Sequence, residues 1–226
     1  MSMDQVRLPN GEVVTFDEWL HWPLFSTIEF ASTAGVRLRA FTYVVGANVP
    51  RQGLAARSAT PADTNLQAAG RANWDELFRL FSMTYEVFAL TDSSITSASP
   101  DILVAQAPAL SALNLRRLQR DLVAELQVGA DVEKPQVKAP FSYYHQGPGP
   151  VAYTSGDTIA TGVAFSGGTG GDVSWAAQRK FAFPIGIGSD RVISLLTYSD
   201  TGPVADLDQN VRLRWYLDGI RRRPLG

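Results

Sequence analysis

The sequence predicts an all-β protein, an antiparallel sandwich of two sheets, and three observations carry that reading. Short apolar segments with period-two alternation recur along the 226 residues. Clusters of Gly, Pro, Ser, Thr and Asn separate them at the intervals of an all-β sandwich. An apolar content of 45% with a net charge of −2 gives a chain that can bury a sizeable core. One domain is the expectation, because sandwiches often run past ~200 residues as a single unit.

Taken in order, residues 1–23 read as an N-terminal arm. Pro9-Asn10-Gly11 marks a turn, and residues 15–19 form a candidate helical turn that Pro23 would end. Trp19 and Trp22 are large apolar groups that either pack under the domain or dock on a neighbouring subunit. Residues 24–30 are the first strand candidate, followed across Ser32-Thr33-Ala34-Gly35 by 36–45, where Arg37 and Arg39 share a face with Phe41 and Tyr43. Residues 48–71 lack periodicity, and so long an excursion within a compact domain tends to be functional or to contact a partner. Alternation returns over 77–90 as a long central strand.

Ser99-Pro100-Asp101 is a good helix start, with Ser as N-cap, Pro at the first helical position and Asp countering the dipole. Beyond Pro108 the reading is helix through Leu110, Leu113, Arg117 and Arg120, then a strand over 122–128. One continuous amphipathic helix ending at Gly129, with Leu115, Leu118, Leu122 and Leu126 as its stripe, stays open as the alternative. The second half is more plainly β, with candidates at 137–145, 151–155, 158–165, 173–183, 191–198 and 211–217. Its Gly-rich passages read as turns, because neither has the strand, spacing and following helix of a phosphate cradle.

Composition narrows the function. The net charge argues against a protein whose main task is to condense nucleic acid. No apolar run approaches the ~20 residues that span a bilayer, and no basic-then-apolar leader is expected at the start. The absence of Cys excludes disulfides and thiolate metal sites. Only Lys134, Lys138 and Lys180 are lysines, and the rest of the 20 basic residues are arginines. Arg is favoured where charge is buried at an interface, although an Arg-rich codon usage gives the same bias.

No catalytic site is expected. A Ser-His-Asp site needs a His between acid and nucleophile, and only His21 and His145 are present, both in aromatic surroundings that suit packing or surface roles. Asp200, Asp206 and Asp208 share one loop that could hold Ca²⁺, but a solvated acidic turn is the preferred reading, and no metal or cofactor is expected. Trp74 and Trp175, flanked by loop-like residues, are candidate interface anchors together with Trp19 and Trp22, or the platforms of a sugar site. The tail places Arg221, Arg222 and Arg223 beyond the last strand, as a candidate polyanion contact or a solvated terminus.

The arm, the sandwich, the long excursions and the basic terminus together resemble jelly-roll coat proteins of icosahedral bacteriophages. Arg179-Lys180-Phe181-Ala182-Phe183-Pro184-Ile185-Gly186-Ile187-Gly188 and Val211-Arg212-Leu213-Arg214-Trp215-Tyr216-Leu217-Asp218-Gly219 look like the late strands of such capsid subunits. The resemblance implies an arm over 1–23 and a single jelly roll over 24–226, with about eight strands and one helical insertion. It implies a structural, non-enzymatic subunit of the virion that assembles with copies of itself. Minor capsid or spike proteins would be further partners, as would packaged nucleic acid or an internal membrane touched by the C-terminal arginines. A carbohydrate- or receptor-binding sandwich, such as a spike module, is the alternative, and a hydrolase on a sandwich scaffold is a third.

Overall fold

The computed structural model describes residues 5–7, 13–15, 19–71, 78–90, 112–129, 135–146, 180–188 and 191–222. These hold β1 (Gln5–Arg7), β2 (Val13–Thr15), β3 (Trp19–His21), β4 (Leu24–Phe30), β5 (Gly35–Ala40), β6 (Arg51–Gln52) and β7 (Phe78–Leu90). After them come α1 (Ala112–Asp121), β8 (Leu122–Val128), β9 (Val137–Pro140), a 3-10 turn (Phe141–Tyr143), β10 (His145–Gln146), β11 (Lys180–Ile187), β12 (Ile193–Pro203) and β13 (Asn210–Arg222). Among the described residues the chain is mostly β, as its sequence predicts, with two larger, largely antiparallel sheets and one α-helix. The first sheet runs β10-β7-β13-β4-β6, with β11 also on β7 and β3 also on β13; the second runs β5-β12-β8-β9. β1 and β2 pair as a separate ribbon.

The two sheets share one core. Leu24, Ile28, Phe30, Leu80, Tyr85, Val87 and Leu213 from the first meet Leu38, Leu122, Leu126, Ile193 and Leu195 from the second in one buried cluster. Trp215 of β13 lies at its centre, fully buried, and donates Nε1–H to Thr197 Oγ1 of β12 at 3.0 Å, tying sheet to sheet. The rings of Tyr85, Phe141 and Tyr144 stand edge-on to it at 5.7, 5.4 and 5.3 Å between centroids. Such pairs add to area burial, and the indole donor finds the partner that a buried Trp needs.

Several boundaries differ from the sequence reading. The strand expected over 36–45 stops at Ala40, because Phe41 takes a left-handed φ of 64° and donates its N–H to the Ser26 hydroxyl at 2.8 Å, which turns the chain while its ring fills the core. In β7 a single alternation is expected, yet the buried set changes parity. Phe78 and Leu80 face the core before Phe81, and Met83, Tyr85, Val87 and Ala89 after it. Phe81 is the extra residue of a bulge, since Ser82 pairs with Asp218 while Leu80 pairs with Gly219. Gly219 is required there: a Cβ would sit 2.3 Å from the Arg79 carbonyl oxygen.

Residues 112–128 form helix then strand, which excludes the continuous helix; Leu115 and Leu118 are buried from α1, and Leu122 and Leu126 from β8. The last strand runs to Arg222, so Arg221 and Arg222 lie within β13 rather than beyond it, a correction that follows from its pairing with β3. Likewise Asp200 belongs to β12, not to the turn. The helix start at 99–107 and the strand candidates at 151–155 and 158–165 lie outside the described residues, as does most of 173–183.

Candidate functional site

The residues singled out in the sequence gather in part at one end of the first sheet. β3 pairs with the end of β13, setting Trp19 opposite Arg222 and His21 opposite Ile220. The Trp22 N–H donates to the Gly219 carbonyl at 3.0 Å. Trp22 packs against the core cluster, and the Arg221 guanidinium lies 4.4 Å from its ring centroid, close enough for cation–π attraction. Trp22 and Arg221 are thus partners within one chain. Trp74, Trp175 and Arg223 lie outside the described residues, as do the side chains of Trp19, Arg222 and His145.

Beside that pair, His21 Nε2 stands 2.6 Å from Asp218 Oδ1, and Ser82 Oγ donates to Asp218 Oδ2 at 3.4 Å. Although Ser, His and Asp are all present, the carboxylate stands between the other two. A nucleophilic serine needs the imidazole in the middle, to take its proton. The arrangement clamps β3 to β13 and does not follow that template.

A buried polar cluster that the sequence reading missed lies on the outer face of the first sheet. Alternation along β4 sends Glu29 outward, opposite Arg212 of β13. Glu29 is nevertheless 0% exposed, because residues 41–71 fold back over this face. Its carboxylate accepts from Arg57 Nη2 at 2.6 Å and Arg212 Nε at 2.8 Å, and Arg51 Nε lies 2.7 Å away. Arg57 also donates to both oxygens of Asp63, at 2.6 and 2.8 Å. Burial pushes both carboxyls up, but Arg57 and Arg212 hold Glu29 below its ordinary value, and Arg57 with the Thr60 N–H does the same for Asp63. The fork geometry of Arg, which Lys lacks, lets one side chain serve two acids at once. A neighbouring row repeats the motif less deeply: Tyr216 donates its hydroxyl to Glu86 at 2.6 Å, and Arg214 stands 3.4 Å from the same oxygen. Arg214 also lies over the rings of Phe25 and Phe88, at 5.8 and 5.6 Å.

The outer face of the second sheet is open. Glu125 of β8 accepts from Tyr198 at 2.7 Å and meets Lys138 at 2.7 Å, with the Lys138 side chain 57% exposed. Leu196 and Tyr198 also point outward yet are buried, and Arg37 and Lys138 lie 5.9 and 5.7 Å from the Tyr198 ring.

Asp200, Asp206 and Asp208 do not converge, and among the described residues no group of three or more His, Asp or Glu side chains could hold a metal ion. Asp208 instead accepts from Asn114 of α1, pinning the β12–β13 turn. Among the described residues no helix is long and apolar enough to cross a membrane. Among the described residues Phe183 of β11, on an outer strand, is the most exposed large apolar side chain at 79%, ahead of Val13, Val45, Tyr143 and Val192. In comparisons with known proteins, no family model, no curated protein and no solved structure matches the chain.

Proposed function

We propose that the chain is a structural subunit of a symmetric shell, a viral coat protein built on a single jelly roll. The observation that carries this is the nested pairing of β4 with β13, β5 with β12, β7 with β11 and β8 with β9. Four strands run out and their partners return in reverse order, as in one long antiparallel hairpin rolled into two sheets. Jelly rolls are built this way, and both viral capsid subunits and lectins use them. Fold alone does not assign function.

Phe183 favours the first class over the second. It sits on β11 beside the exposed Ala182 and before Pro184, and an aromatic group in that setting suits burial against another protein. In this reading the partners are copies of the chain, the place is the virion, and Arg222 and Arg223 supply charge for packaged nucleic acid or a membrane surface. Minor capsid or spike proteins would complete the particle. No catalytic step is assigned to the chain.

Light scattering and electron microscopy of the purified protein test the reading. The expected result is closed particles or oligomers well above the 24.6 kDa of one chain, with Phe183→Ser giving smaller species and an unchanged far-ultraviolet spectrum. A monomer at every concentration and salt would overturn it, and glycan-array binding by that monomer would favour a carbohydrate-binding sandwich.

A further inference from the structure

The free edge of β4 is closed in an unusual way. In an antiparallel strand the N–H groups of alternate residues point to opposite sides. Those of Phe25, Thr27, Glu29 and Ala31 point away from β13, and residues 41–71 satisfy each of them. Phe25 N–H donates to Asn65 Oδ1 at 2.9 Å, Thr27 N–H to the Tyr43 hydroxyl at 3.0 Å, Glu29 N–H to the Pro50 carbonyl at 3.0 Å, and Ala31 N–H to the Gln52 carbonyl at 2.9 Å. Acceptors on the same edge are met too, since Tyr43 donates back to the Thr27 carbonyl at 2.7 Å and Asn65 to that of Pro23 at 2.7 Å. Only Arg51 and Gln52 do this as a strand, β6, parallel to β4. The other partners are the Pro50 carbonyl beside β6 and the side chains of Tyr43 and Asn65, which imitate a strand.

Residues 41–71 also hold themselves together. Tyr43, Val49 and Ala59 form a small apolar cluster of their own, and Gly46, Val49 and Ala59 donate to the carbonyls of Ala59, Arg57 and Ala47. Such a segment is a self-packed loop whose ends lie close together. What fastens its middle to the sheet is Glu29, reached by Arg51 and Arg57 from the loop and by Arg212 from below.

We propose that residues 42–65, hinged where Phe41 and Leu66 enter the core, are a strap that closes over the edge of β4 and leaves it as one unit, with Glu29 as the catch. Exposed strand edges template pairing with other chains, so the position of the strap decides whether β4 offers such an edge. Local opening of this kind is read directly by amide hydrogen exchange.

In the wild-type chain the amides of Phe25, Thr27, Glu29 and Ala31 should exchange with one common protection. Glu29→Gln keeps the shape of the side chain and removes the charge that three guanidinium groups converge on. Because an unbalanced buried charge is strongly destabilising, the four amides should speed up together, by about tenfold or more. The amides of Ser26 and Ile28, which face β13, should not follow. Where Glu29→Gln does not fold, Arg57→Lys removes the fork but keeps a cation, and should produce the same joint acceleration to a smaller degree. Unchanged protection in the variants, acceleration at Glu29 alone, or equal acceleration at Ser26 and Ile28 would each overturn the proposal; the last would mean that β4 itself detaches.

Discussion

On the outer face of the first sheet Glu29 meets three arginines beneath residues 41–71 and is wholly buried, whereas on the outer face of the second sheet Glu125 meets Lys138 and Tyr198 with the lysine in solvent. Both acids face away from the core and are held below their ordinary values despite burial pushing them up. The difference lies in the cover. A carboxylate kept from water needs donors for its lone pairs, and only Arg, planar and weakly hydrated, accompanies Glu29. Where water has access, a single Lys suffices and its ammonium stays hydrated. The arginine bias of the chain therefore has at least one structural use inside the subunit, distinct from contact with a partner.

If that contrast is right, the largest effect comes from Arg57→Met. The substitution keeps much of the apolar stem but leaves Glu29 and Asp63 without the guanidinium they share. Removing one member of a buried ionic cluster costs about 3–5 kcal/mol, and urea denaturation at neutral pH should show a loss of that order. Acid titration sharpens the point. With their values lowered in the folded chain, Glu29 and Asp63 contribute stability that is fully present above the ordinary values of 4.5 and 3.8 and drains away as the pH falls below them. Wild-type stability should fall on that acid side, and Arg57→Met should fall less steeply, having less to lose. Equal slopes would separate the network from stability.

A smaller effect is expected from Tyr43→Phe. Burial pushes this hydroxyl up to about 12, so it stays protonated at any ordinary pH and can donate to the Thr27 carbonyl while accepting from the Thr27 N–H. Without it a buried backbone donor and acceptor go unmet, which costs about 1–3 kcal/mol. A melt indistinguishable from wild type would mean that water takes the place of the hydroxyl, and that the strap is looser at Thr27 than at Glu29.

Much of this architecture was legible in the sequence, and the parts that were not share a cause. β4 was readable to the residue because its 24–30 segment is bounded by Pro23 and by the turn at Ser32-Thr33-Ala34-Gly35. The helix-to-strand change near Asp121 was the preferred of two readings, because Leu122, Ala124 and Leu126 alternate with polar residues, while the helical spacing of Leu115, Leu118, Leu122 and Leu126 kept one continuous helix open. The bulge at Phe81 was not, since it depends on a glycine more than a hundred residues away that lets two backbones approach. The Glu29 cluster was equally hidden. A lone charge in β4 was a signal, but its partners Arg51 and Arg57, with Asp63 beyond, lie in a stretch without periodicity, and only tertiary folding brings them over the sheet. For the same reason Trp22 and Arg221 were read as separate contacts, while the pairing of β3 with β13 stacks one on the other.

The smallest effect belongs to the open face and tests the other half of the contrast. Lys138→Met deletes the ammonium beside Glu125 and keeps the stem that lies along Tyr198. Glu125 retains the Tyr198 hydroxyl and, at 12% side-chain exposure, still reaches water, unlike the wholly buried Glu29. Exposed ion pairs contribute little, because Coulomb attraction in high dielectric is offset by the entropy of fixing a long side chain and is screened by salt. The urea midpoint of Lys138→Met should match that of wild type at low and at high salt alike, whereas Arg57→Met should stay destabilised at both. A loss for Lys138→Met as large as that for Arg57→Met would break the comparison. The second sheet would then hold its charges as tightly as the first, and cover by residues 41–71 would no longer be what distinguishes them.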